Sequence, residues 1–289
     1  MRALPILIII FSMAIPLNSC RKKETKSDMN ILYLHHSTGG VIWQGNKSST
    51  VTRAIRKASP GLAEALGGKA VIPALFDEYN KENGKDYLIR EMNFPKASPY
   101  GWNNYPYDYY NIWVRNQGNQ AYKEEPTLEM LTRDYQVIIF KHCYPVSSIK
   151  ADQDSADINS DYKSLANYKL QYNALRDKLL EFPETKFIVW TGAVQTKARL
   201  TEEEALRSRE FFNWVKEEWD QVNDNIYLWD FYTLETEGEL YLKDEYATSP
   251  EDSHPNYVFA RKAADLLFNR IIDVIEKNGN TTTLTGEKK

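Results

Sequence analysis

The stretch Ile31-Leu-Tyr-Leu-His-His-Ser-Thr-Gly-Gly40 decides the fold, because an apolar half is followed directly by a half of histidines, hydroxyl residues and glycines. The apolar run at 31–34 predicts a short buried strand. The histidines, hydroxyls and glycines that follow predict a tight turn at the carboxyl end of that strand, since glycine lets the backbone reverse at little steric cost. Ser37 is therefore expected to present its hydroxyl above the end of a strand.

Apolar runs downstream predict further strands, and helical patterns separate the later ones. The strand candidates are 86–92, 135–140, 186–190 and 226–229, and the helix candidates are 162–181, 202–222 and 256–277. In the helix candidates the apolar residues recur with the helical period. Strands that alternate with helices predict a parallel sheet covered by helices on both faces. A ligand site is then expected beyond the carboxyl ends of the strands.

Two segments do not fit this alternation. Residues 94–127 lack periodicity and are rich in rings, as in Pro99-Tyr-Gly-Trp-Asn-Asn-Tyr-Pro-Tyr-Asp-Tyr-Tyr110. Long ordered loops are usually functional, so an aromatic insertion over the site is expected there. Residues 278–289 are polar and are expected to form a frayed tail. The folded domain is accordingly predicted to cover residues 30–277.

The first residues have the pattern of an export signal. Arg2 precedes an apolar run at 4–15, which is too short to span a bilayer comfortably. Leu17-Asn-Ser-Cys20 then resembles the bacterial lipobox. The resemblance implies a signal peptide over 1–19, a lipid on Cys20 and a polar tether over 20–29. It also implies export and lipid anchoring to the cell envelope, at the outer membrane if the host has two membranes.

The composition bears on the ligands and the covalent cross-links that the protein can have. The formal net charge of −4 and the lack of a basic cluster argue against nucleic-acid binding. If Cys20 carries lipid, Cys143 is the only other cysteine, so no internal disulfide is expected. The 19 tyrosines and 7 tryptophans offer stacking surfaces of the kind that suits sugars.

A second chemical cluster, Pro250-Glu-Asp-Ser-His-Pro-Asn256, lies directly before the last predicted helix. An acid shortly before a histidine can orient the imidazole ring and stabilise its charge. The ring can then take the proton from a serine hydroxyl. Because Ser37 follows the first strand and His254 precedes the last helix, the two are expected to meet over the same edge of the sheet.

Together the two clusters resemble the SGNH/GDSL hydrolase superfamily. The resemblance implies a flavodoxin-like, three-layer α/β/α sandwich with a parallel sheet of about five strands. It also implies cleavage or transfer of esters, with Ser37 as nucleophile and His254 as base. The chain departs from the family pattern at two places. His36-Ser37-Thr38 replaces the usual Gly-Asp-Ser, and Lys141-His-Cys-Tyr-Pro145 stands where Gly-x-Asn-Asp is usual.

The acid and the oxyanion hole remain open at this point. The commoner family pattern, Asp-x-x-His, selects Glu251. A branch that includes polysaccharide O-acetylation proteins uses Asp-x-His, which selects Asp252 and is the assignment we prefer. The expected oxyanion donors are the backbone N–H of Ser37, that of Gly39 or Gly40, and the side chain of Asn103 or Asn104.

The other histidines also fall at predicted strand ends. His36 is expected to hydrogen-bond the serine loop, His35 to pack in the core, and Lys141 and His142 to line the site. Imidazoles beside Asp252 offer an alternative, a site for zinc or another transition metal. Adjacent residues of an extended segment point to opposite faces, so His35 and His36 do not aim at one site without a bend. The expectation is therefore a serine mechanism without cofactor or metal.

Several functions stay open from the sequence. The first is a serine esterase that deacylates, in particular deacetylates, a carbohydrate through an acyl-enzyme on Ser37. The second is an O-acyltransferase that passes the same acyl group to a polysaccharide. The third, motivated by the missing asparagine, is a catalytically inactive glycan-binding lipoprotein. The expected partner is an acylated carbohydrate or another small ester, with the membrane contacted through the lipid anchor only.

Overall fold

The computed structural model describes residues 27–45 and 69–289. The predicted signal peptide at 1–19, the lipid site Cys20 and most of the tether at 20–29 lie outside the described residues. Within the described ranges, no helix is both long enough and apolar enough to cross a bilayer.

A parallel sheet forms the centre of the domain. Its strands are β1 (Met29–His35), β2 (Tyr87–Asn93), β3 (Val137–Phe140), β4 (Lys186–Trp190) and β5 (Ile226–Trp229). In the described part of the chain, these five strands pair in the order β2-β1-β3-β4-β5, all parallel. The predicted strands are confirmed. The chain changes direction across the sheet between β1 and β3, which is where doubly wound sheets bind their ligands.

Helices cover both faces of this sheet. They are α1 (Thr38–Gln44), α2 (Val71–Asn83), α3 (Pro106–Tyr109, continued by the π-helical turn Tyr110–Arg115), α4 (Leu128–Asp134), α5 (Leu165–Leu180), α6 (Glu202–Trp214, continued by the π-helical turn Val215–Trp219), α7 (Phe231–Thr236) and α8 (Tyr257–Lys277). The predicted helices correspond to α5, α6 and α8. The start of α6 is fixed by a capping box between Thr201 and Glu204.

The side chains of the sheet alternate between two cores. Ile31 and Tyr33 of β1 pack against α1, α2 and α8, whereas Leu32 and Leu34 pack against the layer that contains α3, α4, α5 and α6. This alternation follows from the period of a strand, whose successive side chains point to opposite faces. The predicted three-layer α/β/α sandwich is therefore confirmed.

The aromatic insertion at 94–127 is ordered, as predicted, while its position over the site stays a prediction. It folds into α3 and packs on the face of the sheet. The buried rings of the segment are Phe94, Trp102, Tyr105, Tyr109, Tyr110 and Trp113. Aromatic rings stabilise the fold most when they are removed from water, which is why they form core here rather than a sugar-stacking surface.

The polar tail at 278–289 is packed, so the predicted fraying is wrong. The hydroxyls of Thr281 and Thr282 each donate to the carboxylate of Asp273 in α8 at 2.6 Å. The carbonyl of Thr285 accepts the indole N–H of Trp229 at 2.9 Å. Composition does not reveal this, because the partners that satisfy the polar tail come from distant elements.

Candidate active site

Ser37 occupies the sharp turn between β1 and α1. Its backbone angles, φ 41° and ψ −101°, lie in a region that residues other than glycine rarely adopt and that costs free energy. The Ser37 carbonyl accepts the N–H of Val41 at 3.0 Å, so the helix starts directly after it. The serine side chain is exposed. The strained turn thus holds the Ser37 hydroxyl in solvent at the carboxyl end of β1, next to β3.

The turn after Ser37 rests on Tyr33 and His35. The hydroxyl of Tyr33 donates to the Gly39 carbonyl at 3.1 Å. A Cβ on Gly39 would lie 2.4 Å from the Cβ of His35, so only glycine fits there. His35 is buried, as expected, and its Nε2 lies 2.9 Å from the carboxylate of Glu91. His35 therefore supports the serine loop from below.

The His36 ring does not hydrogen-bond the serine loop, so the prediction made for this side chain is wrong. Its Nε2 donates instead to the carbonyl of Pro95, just beyond β2. Burial lowers the pKa of the His36 ring, although its hydrogen bond to Pro95 acts in the opposite sense. The physical reason is strand alternation, which directs His35 and His36 to opposite sides. His36 thus ties the end of β1 to the end of β2.

His254 reaches Ser37 from a short antiparallel hairpin, β6 (Ala247–Ser249) and β7 (Asp252–Pro255). The hydroxyl of Ser37 is hydrogen-bonded to Nε2 of His254. On the other side of the ring, Nδ1 donates to Oδ1 of Asp252 at 2.5 Å. Hydroxyl, imidazole and carboxylate therefore follow one another in the order that proton transfer from serine requires.

The structure places Asp252, and not Glu251, against the histidine. Glu251 is exposed, and its carboxylate accepts from the Ser249 hydroxyl at 3.4 Å. Partial burial by itself would raise the pKa of Asp252. The hydrogen bonds from the ring and the backbone N–H of His254 outweigh this effect and hold the pKa of Asp252 below its ordinary value. An ionised carboxylate therefore faces the ring at neutral pH.

The loop after β4 forms hydrogen bonds with the β6–β7 hairpin. The backbone N–H of Thr196 donates to the Ser253 hydroxyl at 3.1 Å, and the Thr196 hydroxyl donates to the carbonyl of Pro250 at 2.5 Å. The same loop is held by Glu235, whose buried carboxylate accepts the N–H of Val194 at 2.8 Å. Sequence reasoning missed Thr196 and Ser253, because no local pattern links residues so far apart along the chain.

Lys141 and His142 do not line the site, so this prediction is wrong. Both side chains are fully buried. Lys141 Nζ lies 4.0 Å from the Sγ of Cys143, and His142 Nε2 lies 2.8 Å from the hydroxyl of Tyr172 in the opposite core. Burial lowers the pKa of Lys141, and burial together with Lys141 lowers the pKa of His142 to about 3. The alternation of β3 continues past its end and sends one side chain into each core.

The side-chain amides of Asn103 and Asn104 each donate a hydrogen bond within their own loop. The side-chain amide of Asn104 donates to the carbonyl of Phe94 at 2.7 Å, and that of Asn103 donates to the carbonyl of Gly101 at 3.3 Å. Both amides therefore stabilise their own loop. The expectation that one of them supplies an oxyanion donor stays a prediction, since a side-chain amide has two N–H donors.

The backbone near Ser37 offers other donors. The N–H of Gly39 is already used, because it donates to the His36 carbonyl at 2.8 Å. In contrast, the N–H groups of Ser37 and Gly40 have no acceptor within residues 27–45 and 69–289. Among the predicted backbone donors, these two are available within the described residues.

Tyr144 is a further neighbour of the histidine that sequence reasoning missed. It begins the 3₁₀ turn Tyr144–Ser147, which follows β3. Its ring centroid lies 5.2 Å from that of His254, with an angle of 88° between the planes. The ring is half-exposed. An aromatic residue within four positions of a strand end was the available signal, because that is where the sheet binds its ligands.

The histidines are each engaged separately. His35 contacts Glu91, His36 contacts a backbone carbonyl and His142 contacts Tyr172. Over the part of the chain that the structure describes, no group of three or more histidine, cysteine, aspartate or glutamate side chains is arranged to hold a metal ion. The alternative of a metal site beside Asp252 thus finds no ligand set among these residues.

Comparison with known proteins adds little to this geometry. No family model and no curated protein matches the chain. A solved structure described as "The active site of a carbohydrate esterase displays divergent catalytic and non-catalytic binding functions" is similar, with a TM-score of 0.34 and 12% identity. The match covers 86% of this chain and 66% of that chain, so the chain spans just under two thirds of that structure's length. A similarity of this size carries no argument about activity.

Proposed function

We propose that the protein is a serine-dependent ester hydrolase whose substrate is an acylated carbohydrate. The supporting observation is the hydrogen-bonded series of Ser37, His254 and Asp252 at the carboxyl edge of the sheet. Ser37 and His254 are separated by 217 positions along the chain, so local turn or capping roles do not account for their contact. A strained backbone at the serine is a second feature that clusters at functional sites.

In the proposed reaction, Ser37 Oγ attacks the carbonyl carbon of the ester while His254 Nε2 takes the serine proton. Asp252 accepts the Nδ1 proton of the ring in a hydrogen bond and stabilises the imidazolium. The bond between the carbonyl carbon and the alcohol oxygen then breaks, and His254 returns the proton to the leaving alkoxide. His254 next activates a water molecule, which attacks the acyl-enzyme and releases the acid and free Ser37.

The oxyanion that forms during this reaction needs donors aimed at it. The N–H groups of Ser37 and Gly40, which lack an acceptor among the described residues, are the proposed donors. Asn103 and Asn104 each use one amide N–H within their own loop, so the backbone donors are preferred in this proposal. The proposal therefore assigns oxyanion stabilisation to the backbone.

The carbohydrate part of the proposal is supported by the openness of the site. Ser37 is exposed, and the half-exposed ring of Tyr144 stands beside His254. An open site of this kind admits a bulky alcohol portion. The same openness favours O-acyl transfer as a second candidate, in which a sugar hydroxyl instead of water attacks the acyl-enzyme. Acetyl transfer to an oligosaccharide, measured beside acetate release, distinguishes the two.

The test of the proposal is covalent labelling of the full-length chain with a serine-directed fluorophosphonate, followed by intact-mass analysis. We expect one adduct on the wild type, no adduct on Ser37→Ala, and an unchanged adduct on Ser249→Ala, a serine of the hairpin that carries His254. An unlabelled wild type contradicts an activated Ser37. Saturable oligosaccharide binding without labelling would instead support a glycan-binding protein.

We also propose that the chain is exported and anchored through a lipid on Cys20. The support is the resemblance of Leu17-Asn-Ser-Cys20 to a lipobox. Metabolic labelling with a fatty-acid analogue tests it. We expect labelled protein in the membrane fraction for the wild type and loss of the label in Cys20→Ala. Equal labelling of the variant contradicts this assignment.

A further inference from the structure

The ring of Tyr144 stands beside the proposed base, and the proton relay does not use it. The planes of the Tyr144 and His254 rings meet at 88° with centroids 5.2 Å apart, so the two rings form a right-angled corner. Lys141 and His142, which precede Tyr144, are fully buried, whereas Tyr144 is half-exposed. Tyr144 thus packs in part against the core, and the rest of its side chain is exposed beside the histidine.

The main chain that carries this ring is held rigidly. The Ser147 hydroxyl donates to the Tyr144 carbonyl at 2.7 Å. The N–H of Cys143 donates to the carbonyl of Asn104 at 3.2 Å, and Lys163 Nζ donates to the carbonyl of Pro145 at 3.3 Å. Contacts before, at and after the residue therefore fix the turn. A binding group held in this way loses little freedom when a ligand arrives.

The Tyr144 side chain also has a polar group that is available to a ligand. The Tyr144 hydroxyl has no hydrogen-bond partner within the described ranges of the chain. A tyrosine that only fills core space is normally buried with its hydroxyl bonded. Tyr144 instead offers both an apolar ring and a polar tip, the combination that suits a ligand with C–H faces and hydroxyl groups.

The proposed reaction determines which part of the substrate lies beside the rings of His254 and Tyr144. The alkoxide that leaves the ester receives its proton from Nε2 of His254, so the alcohol portion of the substrate lies beside that atom. Tyr144 forms the other wall of the corner. The alcohol portion therefore contacts the ring of Tyr144 when it is large enough to extend past the imidazole.

We propose that Tyr144 contacts the sugar ring that carries the ester and makes the site selective for esters of cyclic sugars over esters of small acyclic alcohols. This inference rests on the proposed function. A pyranose fills the corner and stacks on the aromatic ring, whereas the ethyl group of an ethyl ester is too short to do so.

The experiment compares kcat/KM for a monoacetylated methyl glucoside with kcat/KM for ethyl acetate, using the full chain. We expect Tyr144→Leu to lower the value for the sugar ester about tenfold while the value for ethyl acetate changes less than about threefold. Tyr144→Phe keeps the ring and is expected to retain most of the preference. Tyr227→Leu, a half-buried tyrosine on β5 towards the opposite edge of the sheet, is the matched control and leaves both values unchanged.

Two outcomes overturn the inference while leaving the hydrolase intact. In the first, Tyr144→Leu lowers both values equally, which means that the ring only positions His254. In the second, neither value changes. If the wild type turns over neither ester and fluorophosphonate does not label Ser37, the proposed function itself fails, and the role of Tyr144 fails with it. Labelling of Ser37 therefore separates the two kinds of failure.

Discussion

The backbone N–H of Thr196 donates to the hydroxyl of Ser253 at 3.1 Å, and this bond joins the exit of β4 to the hairpin that carries His254. Both residues are buried. The hairpin is short and lies outside the main sheet, so no sheet hydrogen bond fixes the imidazole relative to Ser37. The position of the proposed base therefore depends in part on this bond, together with the bond from the Thr196 hydroxyl to the Pro250 carbonyl.

Removal of that hydroxyl is expected to impair the site. Ser253→Ala leaves the buried N–H of Thr196 without an acceptor, which costs about 1–3 kcal/mol of folding free energy. Because His254 follows directly, we expect kcat for ester hydrolysis to fall about 10- to 100-fold. Urea unfolding and steady-state kinetics measure the two effects. Ser249→Ala is the control, and an unchanged kcat in Ser253→Ala contradicts the positioning role.

The identity of the acid is tested by a pair of isosteric variants. Asp252→Asn removes the charge that faces the His254 ring, so we expect kcat to fall about 10²- to 10⁴-fold. Glu251→Gln alters an exposed side chain that contacts Ser249, and we expect less than about a twofold change. Steady-state kinetics on one ester decides between them. The opposite ranking would assign the acid to Glu251.

The serine turn is expected to tolerate a methyl group at one glycine and not at its neighbour. Alanine at Gly39 places its Cβ 2.4 Å from His35 Cβ, whereas at Gly40 the nearest atom, His35 Cε1, is 3.4 Å away. Gly39→Ala should therefore lose about 1–3 kcal/mol of unfolding free energy together with most activity. Gly40→Ala should stay within about 1 kcal/mol of the wild type. Equal stability of the two variants in urea contradicts the packing described here.

The protonation of Asp108 is expected to make the free energy of unfolding depend on pH in mild acid. Its carboxylate accepts the N–H of Asn103 and of Asn104 at 2.7 and 2.6 Å, yet burial raises the pKa of Asp108 to about 6. An unfolded aspartate has a pKa of about 3.9, so between about pH 4 and 6 the folded chain binds the proton more tightly. This contribution to stability therefore falls as pH rises through that window, by an amount on the order of 3 kcal/mol.

The variant Asp108→Asn keeps an acceptor oxygen but does not titrate. We expect its free energy of unfolding to lack that fall between about pH 4 and 6. Chemical denaturation at several pH values measures the difference from the wild type. Asp154→Asn, at an exposed aspartate, is the control and should follow the wild type. A pH dependence identical in Asp108→Asn and the wild type contradicts the burial of this carboxylate.

Periodicity predicted the scaffold well because it reports burial along short stretches. The apolar runs of β1 and β3 and the stripe of α8 were all recognisable, and each element has the expected type. The prediction failed at Lys141 and His142, since their place after a strand end suggested a site while strand alternation directed both side chains into the cores. The rings of residues 94–127 were ambiguous in the sequence. An aromatic residue suits a sugar and a core equally, and only packing distinguishes the two.

By itself, the sequence determined the α/β class, the strands and the places of Ser37 and His254, because these follow from local hydrophobic patterns and chain order. Only the tertiary structure decided that Asp252 faces the imidazole, that Thr196 and Ser253 hold the hairpin, and that Tyr144 stands beside the base. Each of these is a contact whose strength depends on distance and angle in space. A carboxylate two residues from a histidine and one three residues away look alike in sequence, and the turn of the hairpin directs only the first towards the ring.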